Sequence, residues 1–215
     1  LPYHVIKDFH LPRYGVKFEI SINREVSDIN FYEYDELIDV FIKDFEFYKN
    51  QFYMNILVPD DLKNQLEIFF ENLKNNTIRT VDFELNEEGV LGVSKSIFDD
   101  SKITLSINPY LWETSSTPKK LYVIYHELGH DILNLRHGEG GKMMFTLSDD
   151  EYTLKQFYKD RGYMFMNFFK RFFNNLGYKE FVLNLIPEDT SRKGRVHAQI
   201  VRWDGREYVG RNKNK

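Results

Sequence analysis

The chain has 215 residues, 42% hydrophobic and 16% aromatic, with a formal net charge of −4 and no cysteine. That length and apolar content suit one domain with a sizeable core, and the net acidity argues against a general nucleic-acid binder. Without cysteine there is no disulfide framework and no thiolate metal site, so any bound metal must be held by His, carboxylate or water.

No apolar run is long enough to cross a bilayer. No signal peptide is visible, and the start at Leu1 is compatible with a processed leader. Ala198 is the single alanine, while Asn, Lys, Ile, Phe and Tyr are used heavily. This composition fits the AT-rich coding of low-GC bacteria or their phages, and a secreted or phage-associated setting would agree with it. The 19 Phe and 14 Tyr predict a core built largely from packed rings.

Residues 1–15, with Pro2, Pro12 and Gly15, read as an irregular lead-in, with His4 and His10 as surface or packing residues. Residues 16–22 alternate and predict a strand. Leu37, Ile38, Phe41, Ile42 and Phe45 share one face of a helix predicted over 34–48. A strand is expected over 52–58. A second helix over 60–75 would start at an Asp60 cap and turn Leu62, Leu66, Phe69, Phe70 and Leu73 inward. Short strands follow over 78–85, 90–96 and 103–107, with a turn at 86–89. Asn108-Pro109 and Ser115-Ser116 mark a loop.

A helix is then expected from a Thr117 cap, with Pro118 at its first position and Leu121, Ile124, Tyr125, Leu128 and Ile132 facing the core. Asn134 can take the left-handed conformation that stops it. Three glycines within residues 138–141 form a loop, and Met143-Met144-Phe145 follows. Ser148-Asp-Asp-Glu151 predicts the start of a long helix to about Asn174, with Phe157, Met164, Phe165, Phe168, Phe169 and Phe172 inward. A short helix is expected near 181–185, ended by Pro187. Residues 195–209, with Asp204-Gly205 at the turn, predict a β-hairpin that contains His197. From Ser191 onward there are eight Lys or Arg against two acidic residues. Such a hairpin is either a solvated sheet edge protected by charge or a docking surface for an acidic partner. The expected division is a catalytic domain over 1–190 and a basic hairpin tail over 191–215.

The residues that carry chemistry lie in 125–137, where His126-Glu127-Leu128-Gly129-His130 forms H-E-x-x-H and His137 follows seven residues later. Residues i and i+4 share a helix face, so His126 and His130 can offer two imidazoles to one cation. The turn at Asn134 would bring His137 back to it. Three neutral imidazoles and a vacant position suit catalytic Zn²⁺. Zinc would bring the pKa of its water to about 7, and Glu127, one residue after the first ligand, would take that proton and hand it to the leaving amine. Asp131 or a backbone carbonyl would orient a ligand imidazole.

The span from about Ile78 to Phe145 resembles a metzincin zinc-dependent metallopeptidase. That clan joins H-E-x-x-H to a third zinc-binding His after a sharp turn and sets a Met-containing turn beneath the metal. The resemblance implies that His126, His130 and His137 bind Zn²⁺, that Glu127 is the general base and that Met144 is the Met of the turn. It implies an α+β fold with a twisted mixed sheet, an active-site helix and a long C-terminal helix. An antiparallel edge strand such as 90–96 would bind protein or peptide substrate in extended form. The step from second to third His is seven residues here and six in the usual pattern, and Asn134 stands near the family's glycine. Two other readings remain open. In a gluzincin arrangement Asp149, Asp150 or Glu151 would supply the third ligand. A structural or assembly protein, such as a phage-particle component, would carry the metal site without routine cleavage.

Overall fold

The computed structural model describes residues 37–145 and 151–179 in full and the backbone of strands 4–10, 16–23, 180–183, 200–203 and 208–211. Within these residues the protein is α+β. In chain order it forms β1 (His4–His10), β2 (Val16–Asn23), α1 (Leu37–Asn55), β3 (Ile56–Leu57), α2 (Asp60–Asn75), β4 (Ile78–Asp82), β5 (Gly92–Ser94), β6 (Lys102–Ile107), α3 (Pro109–Thr114), α4 (Thr117–Asp131), α5 (Leu154–Asn175), β7 (Glu180–Leu183), β8 (Ile200–Trp203) and β9 (Tyr208–Arg211). A 3-10 turn, Gly141–Met144, lies between α4 and α5.

Two sheets result. The smaller has the order β4-β6-β5, with β4 parallel and β5 antiparallel to β6. The larger is antiparallel, with the order β1-β2-β9-β8-β7-β3. No helix among the described residues is long and apolar enough to cross a membrane.

The core lies where α1, α4 and α5 meet. Helix α1 repeats Phe41, Phe45, Tyr48 and Phe52 along one face, and all four are buried. Tyr48 stacks on Phe165 at 5.1 Å between centroids, Phe45 on Phe70 at 5.5 Å and Phe52 on Phe173 at 5.6 Å. Offset ring pairs of this kind add about 0.5–1.5 kcal/mol each beyond area burial. They join α1 to α2 and α5. Helix α5 starts with a full capping box, Thr153 with Gln156, and carries Gly162 in its interior.

Several expectations are corrected. Residues 4–10 form a strand because they pair along their whole length with β2. Helix α1 continues through Phe52, whose ring joins the α5 stack, so only Ile56–Leu57 remains as strand. The segment expected to be a short helix near 181–185 is strand β7 over Glu180–Leu183, paired with β3 and β8. The loop before α4 contains the extra helix α3, capped by Asn108 through the amides of Tyr110 and Leu111. Pro59 and Ser116, rather than Asp60 and Thr117, hold the cap positions of α2 and α4. Helix α5 begins at Leu154 rather than in 148–151, of which 148–150 lie outside the described residues. The hairpin β8–β9 fills the middle of the larger sheet, between β7 and β2, instead of forming its edge. Its turn at 204–207 and the side chains of His4, His10 and His197 lie outside the described residues.

Candidate metal centre

Helix α4 is fixed by its apolar stripe: Leu121, Ile124, Tyr125 and Leu128 are all buried, as is Ile132 just beyond it. Behind the motif, the Tyr125 hydroxyl donates to buried Asp44, which also pairs at 3.0 Å with fully buried Arg161 of α5. The helix ends after Asp131. Asn134 adopts φ 50°, the one non-Gly residue with positive φ among those described, and Leu135 N–H donates to the Gly129 carbonyl at 3.1 Å. The reversed chain brings His137 to the helix.

The three imidazoles gather. One ligand nitrogen from each of His126, His130 and His137 lies within 4.8 Å of the others. His126 Nδ1 is 2.7 Å from the Met143 carbonyl, and His130 Nδ1 is 2.6 Å from the Leu135 carbonyl. A carbonyl only accepts, so both Nδ1 atoms carry the proton, and in the neutral ring Nε2 is then a bare acceptor. His126 Nε2 nevertheless lies 3.2 Å from His130 Nε2 and 3.2 Å from His137 Nε2. Burial pushes the His126 imidazole down to about 4, and the neighbouring His130 and His137 push the same way, against the Met143 carbonyl. In their neutral forms His126 and His130 therefore set two bare Nε2 atoms against each other. Two ligands about 2.05 Å from a tetrahedral zinc stand about 3.3 Å apart, so the donor set and its spacing fit that ion. His126 is buried, His130 partly so and His137 exposed, which leaves an approach from solvent on the His137 side.

Glu127 is partly buried. Its Oε2 accepts the backbone N–H of Ser94 in β5 at 3.0 Å. Burial raises its carboxyl above the ordinary value, with Ser94 N–H and His130 opposing and Asp131 adding to the rise. A raised carboxyl suits a base that must later give its proton back. Buried Asp131 points at β5 rather than at an imidazole. It accepts from the hydroxyl of Ser94 and, at 2.7 Å, from that of Ser96. The imidazoles of His126 and His130 are oriented by backbone carbonyls instead.

The loop below is shaped by small residues. A Cβ on Gly129 would lie 2.6 Å from the sulfur of Met144, so a larger residue there would displace that side chain. Met144 is fully buried against this point, while the carbonyl of Met143 holds His126. Gly141 has φ 76°, and a Cβ would meet Tyr163 at 2.4 Å. Tyr122 stacks on His126 and donates to the carbonyls of Lys142, at 2.8 Å, and Phe145. Glu139 spans the loop: one oxygen accepts Arg136 N–H at 2.8 Å and the other pairs with Arg171 of α5 at 2.9 Å.

His126, Glu127, His130, His137 and Met144 thus meet in one place. Of the carboxylates weighed as a third ligand, Asp149 and Asp150 lie outside the described residues. Glu151 is exposed and lies outside the imidazole group, the one candidate metal cluster among the described residues. Ser94, Ser96, Tyr122, Glu139 and Arg171 were not foreseen. Ser94 lies 33 positions before Glu127 in the chain, and nothing local in its sequence marks it. No family model matches the sequence, and no curated protein or solved structure matches the chain.

Proposed function

We propose that this protein is a zinc-dependent metalloendopeptidase of zincin/metzincin-like fold. One observation carries the reading: three imidazoles converge, His126 Nε2, a bare acceptor in the neutral ring, lying 3.2 Å from Nε2 of His137 and 3.2 Å from Nε2 of His130, beside a carboxylate whose pKa burial raises. Acceptors held against acceptors are repulsive unless a cation lies among them. Each of the three rings offers one nitrogen, which leaves a tetrahedral ion an open position, the mark of a catalytic rather than a structural site.

His126, His130 and His137 would hold Zn²⁺, with the Met143 and Leu135 carbonyls fixing the tautomers of the first two. When bound, zinc supplies a Lewis acid that polarises a peptide carbonyl and acidifies the attacking water. Glu127 takes one proton from that water as its oxygen bonds to the carbonyl carbon. The carboxylic acid then returns the proton to the leaving nitrogen as the C–N bond breaks, so the residue ends as it began. Met144 keeps the 3-10 turn, and with it the Met143 carbonyl, seated under Gly129.

The test is cleavage of a peptide library by purified protein, with and without chelator and with zinc restored. The expected result is cleavage that chelation abolishes, that zinc restores and that Glu127→Gln lacks. Absence of cleavage at every pH would favour the reading as an assembly or structural protein.

A further inference from the structure

Helix α4 and strand β5 match residue for residue. A Cβ on Gly92 would lie 3.1 Å from Val123, Ser94 N–H bonds Glu127, and Ser96 Oγ bonds Asp131. Two residues of strand rise about 6.6 Å and four residues of helix about 6.0 Å, so the steps 92, 94, 96 and 123, 127, 131 stay in phase. Lys95 N–H donates to Thr104 O, and Asn108 N–H to Leu91 O. Leu91 and Lys95, which flank β5, therefore bond towards β6, while Ser94 between them turns its N–H to the free edge. There it meets Glu127.

We propose that Ser94 is the positioning residue for Glu127, gripped by two carboxylates of one helix. Its amide holds Glu127 Oε2 and leaves the other oxygen to face the reacting atoms. Its hydroxyl donates to Asp131, four residues on from Glu127, and also lies 3.4 Å from the Thr104 carbonyl of β6. Asp131 also binds Ser96, whose oxygen accepts Thr104 N–H at 2.6 Å, and this ties the grip into β6. A strand that slid or tilted at 94 would carry the base with it. The inference rests on the reading of Glu127 as general base.

Two measurements test it. In amide hydrogen exchange, the Ser94 N–H points away from its strand partner Leu105 and bonds Glu127, so its protection comes from Glu127. Exchange at Ser94 should quicken at least about tenfold in Glu127→Ala while the β6 amides keep their protection. In steady-state kinetics with a peptide from the library, Ser94→Ala keeps the amide but frees it from Asp131. It should lower kcat about tenfold to a hundredfold, the scale of a small misplacement, with KM and zinc content unchanged. Ser94→Thr, which keeps the hydroxyl, should restore kcat. Full kcat in Ser94→Ala, a loss that Thr does not restore, or Ser94 exchange indifferent to Glu127→Ala would each overturn the positioning role and leave the peptidase reading standing. A wild-type protein that cleaves nothing overturns the reading of Glu127 as a base, and the positioning role falls with it.

Discussion

Helix α4 carries polar groups on two faces, and they differ in how their hydrogen bonds close. On the inner face Tyr125 donates to Asp44, and Arg161 pairs with the same carboxylate. Cation meets anion, donor meets acceptor, and the rings of Tyr48, Phe157 and Tyr158 surround the guanidinium within 6 Å. One residue further along, His126 begins a cluster in which its Nε2 and that of His130, both bare in the neutral rings, face each other beside His137. The first network pairs its cation with its anion inside the protein, whereas in the second the facing acceptors would find a partner in a bound cation. Buried polarity by itself therefore does not mark a site. What marks it is a set of acceptors that the fold holds together at a cost.

The sharpest way to break the contrast is at Glu127. Glu127→Gln should lower kcat by about 10²–10⁴-fold, the usual contribution of a general base, while zinc content by elemental analysis stays at the wild-type value. Next is His137→Ala. Loss of even an outer partner of a metal ligand costs about 10–100-fold in affinity, so loss of a ligand should weaken zinc binding by at least about 100-fold in a competitive chelator titration. On the inner face, Asp44→Ala leaves Arg161 without its carboxylate and should lower unfolding free energy by about 3–5 kcal/mol in urea denaturation. Folded Asp44→Ala should still bind one zinc, since the two networks share a helix but no bond.

The smallest expected effect sharpens the comparison by pH. Burial holds the His126 imidazole down to about 4, whereas the unfolded chain protonates it near 6.5. Between those values the unfolded state binds the extra proton, so this contribution to stability is present above about pH 6.5 and is lost as pH falls towards 4. Burial raises Glu127 and Asp131 in the opposite sense. The informative quantity is thus the difference between metal-free wild type and His126→Asn, whose amide can still donate to Met143 O. Urea unfolding should show wild type losing stability relative to His126→Asn as the pH is lowered through that window.

Much of the site was legible because it is local. His126, Glu127 and His130 lie within five residues of one helix, and Asn134 is a turn residue three positions before His137. The bounds of α2, at 60 and 75, also follow from its own apolar spacing. What sequence reasoning missed depends on distant partners. Residues 4–10 become strand through β2, and 180–183 through β3 and β8. Phe52 reads as the start of a strand over 52–58, yet its ring packs on Phe169 and Phe173 more than a hundred positions away. Ser94 is the same case within the site: an ordinary serine in a short strand that acquires its role only when β5 is laid along α4. The carbonyls of Met143 and Leu135 carry no sequence signal, since every residue supplies one.

The most direct measurement is anomalous diffraction at the zinc edge from crystals of the zinc-loaded protein. The account predicts one ion about 2.0–2.1 Å from one nitrogen of each of His126, His130 and His137, with an open position towards Glu127. An ion bound without His137, or no ion among these rings at saturating zinc, would contradict it.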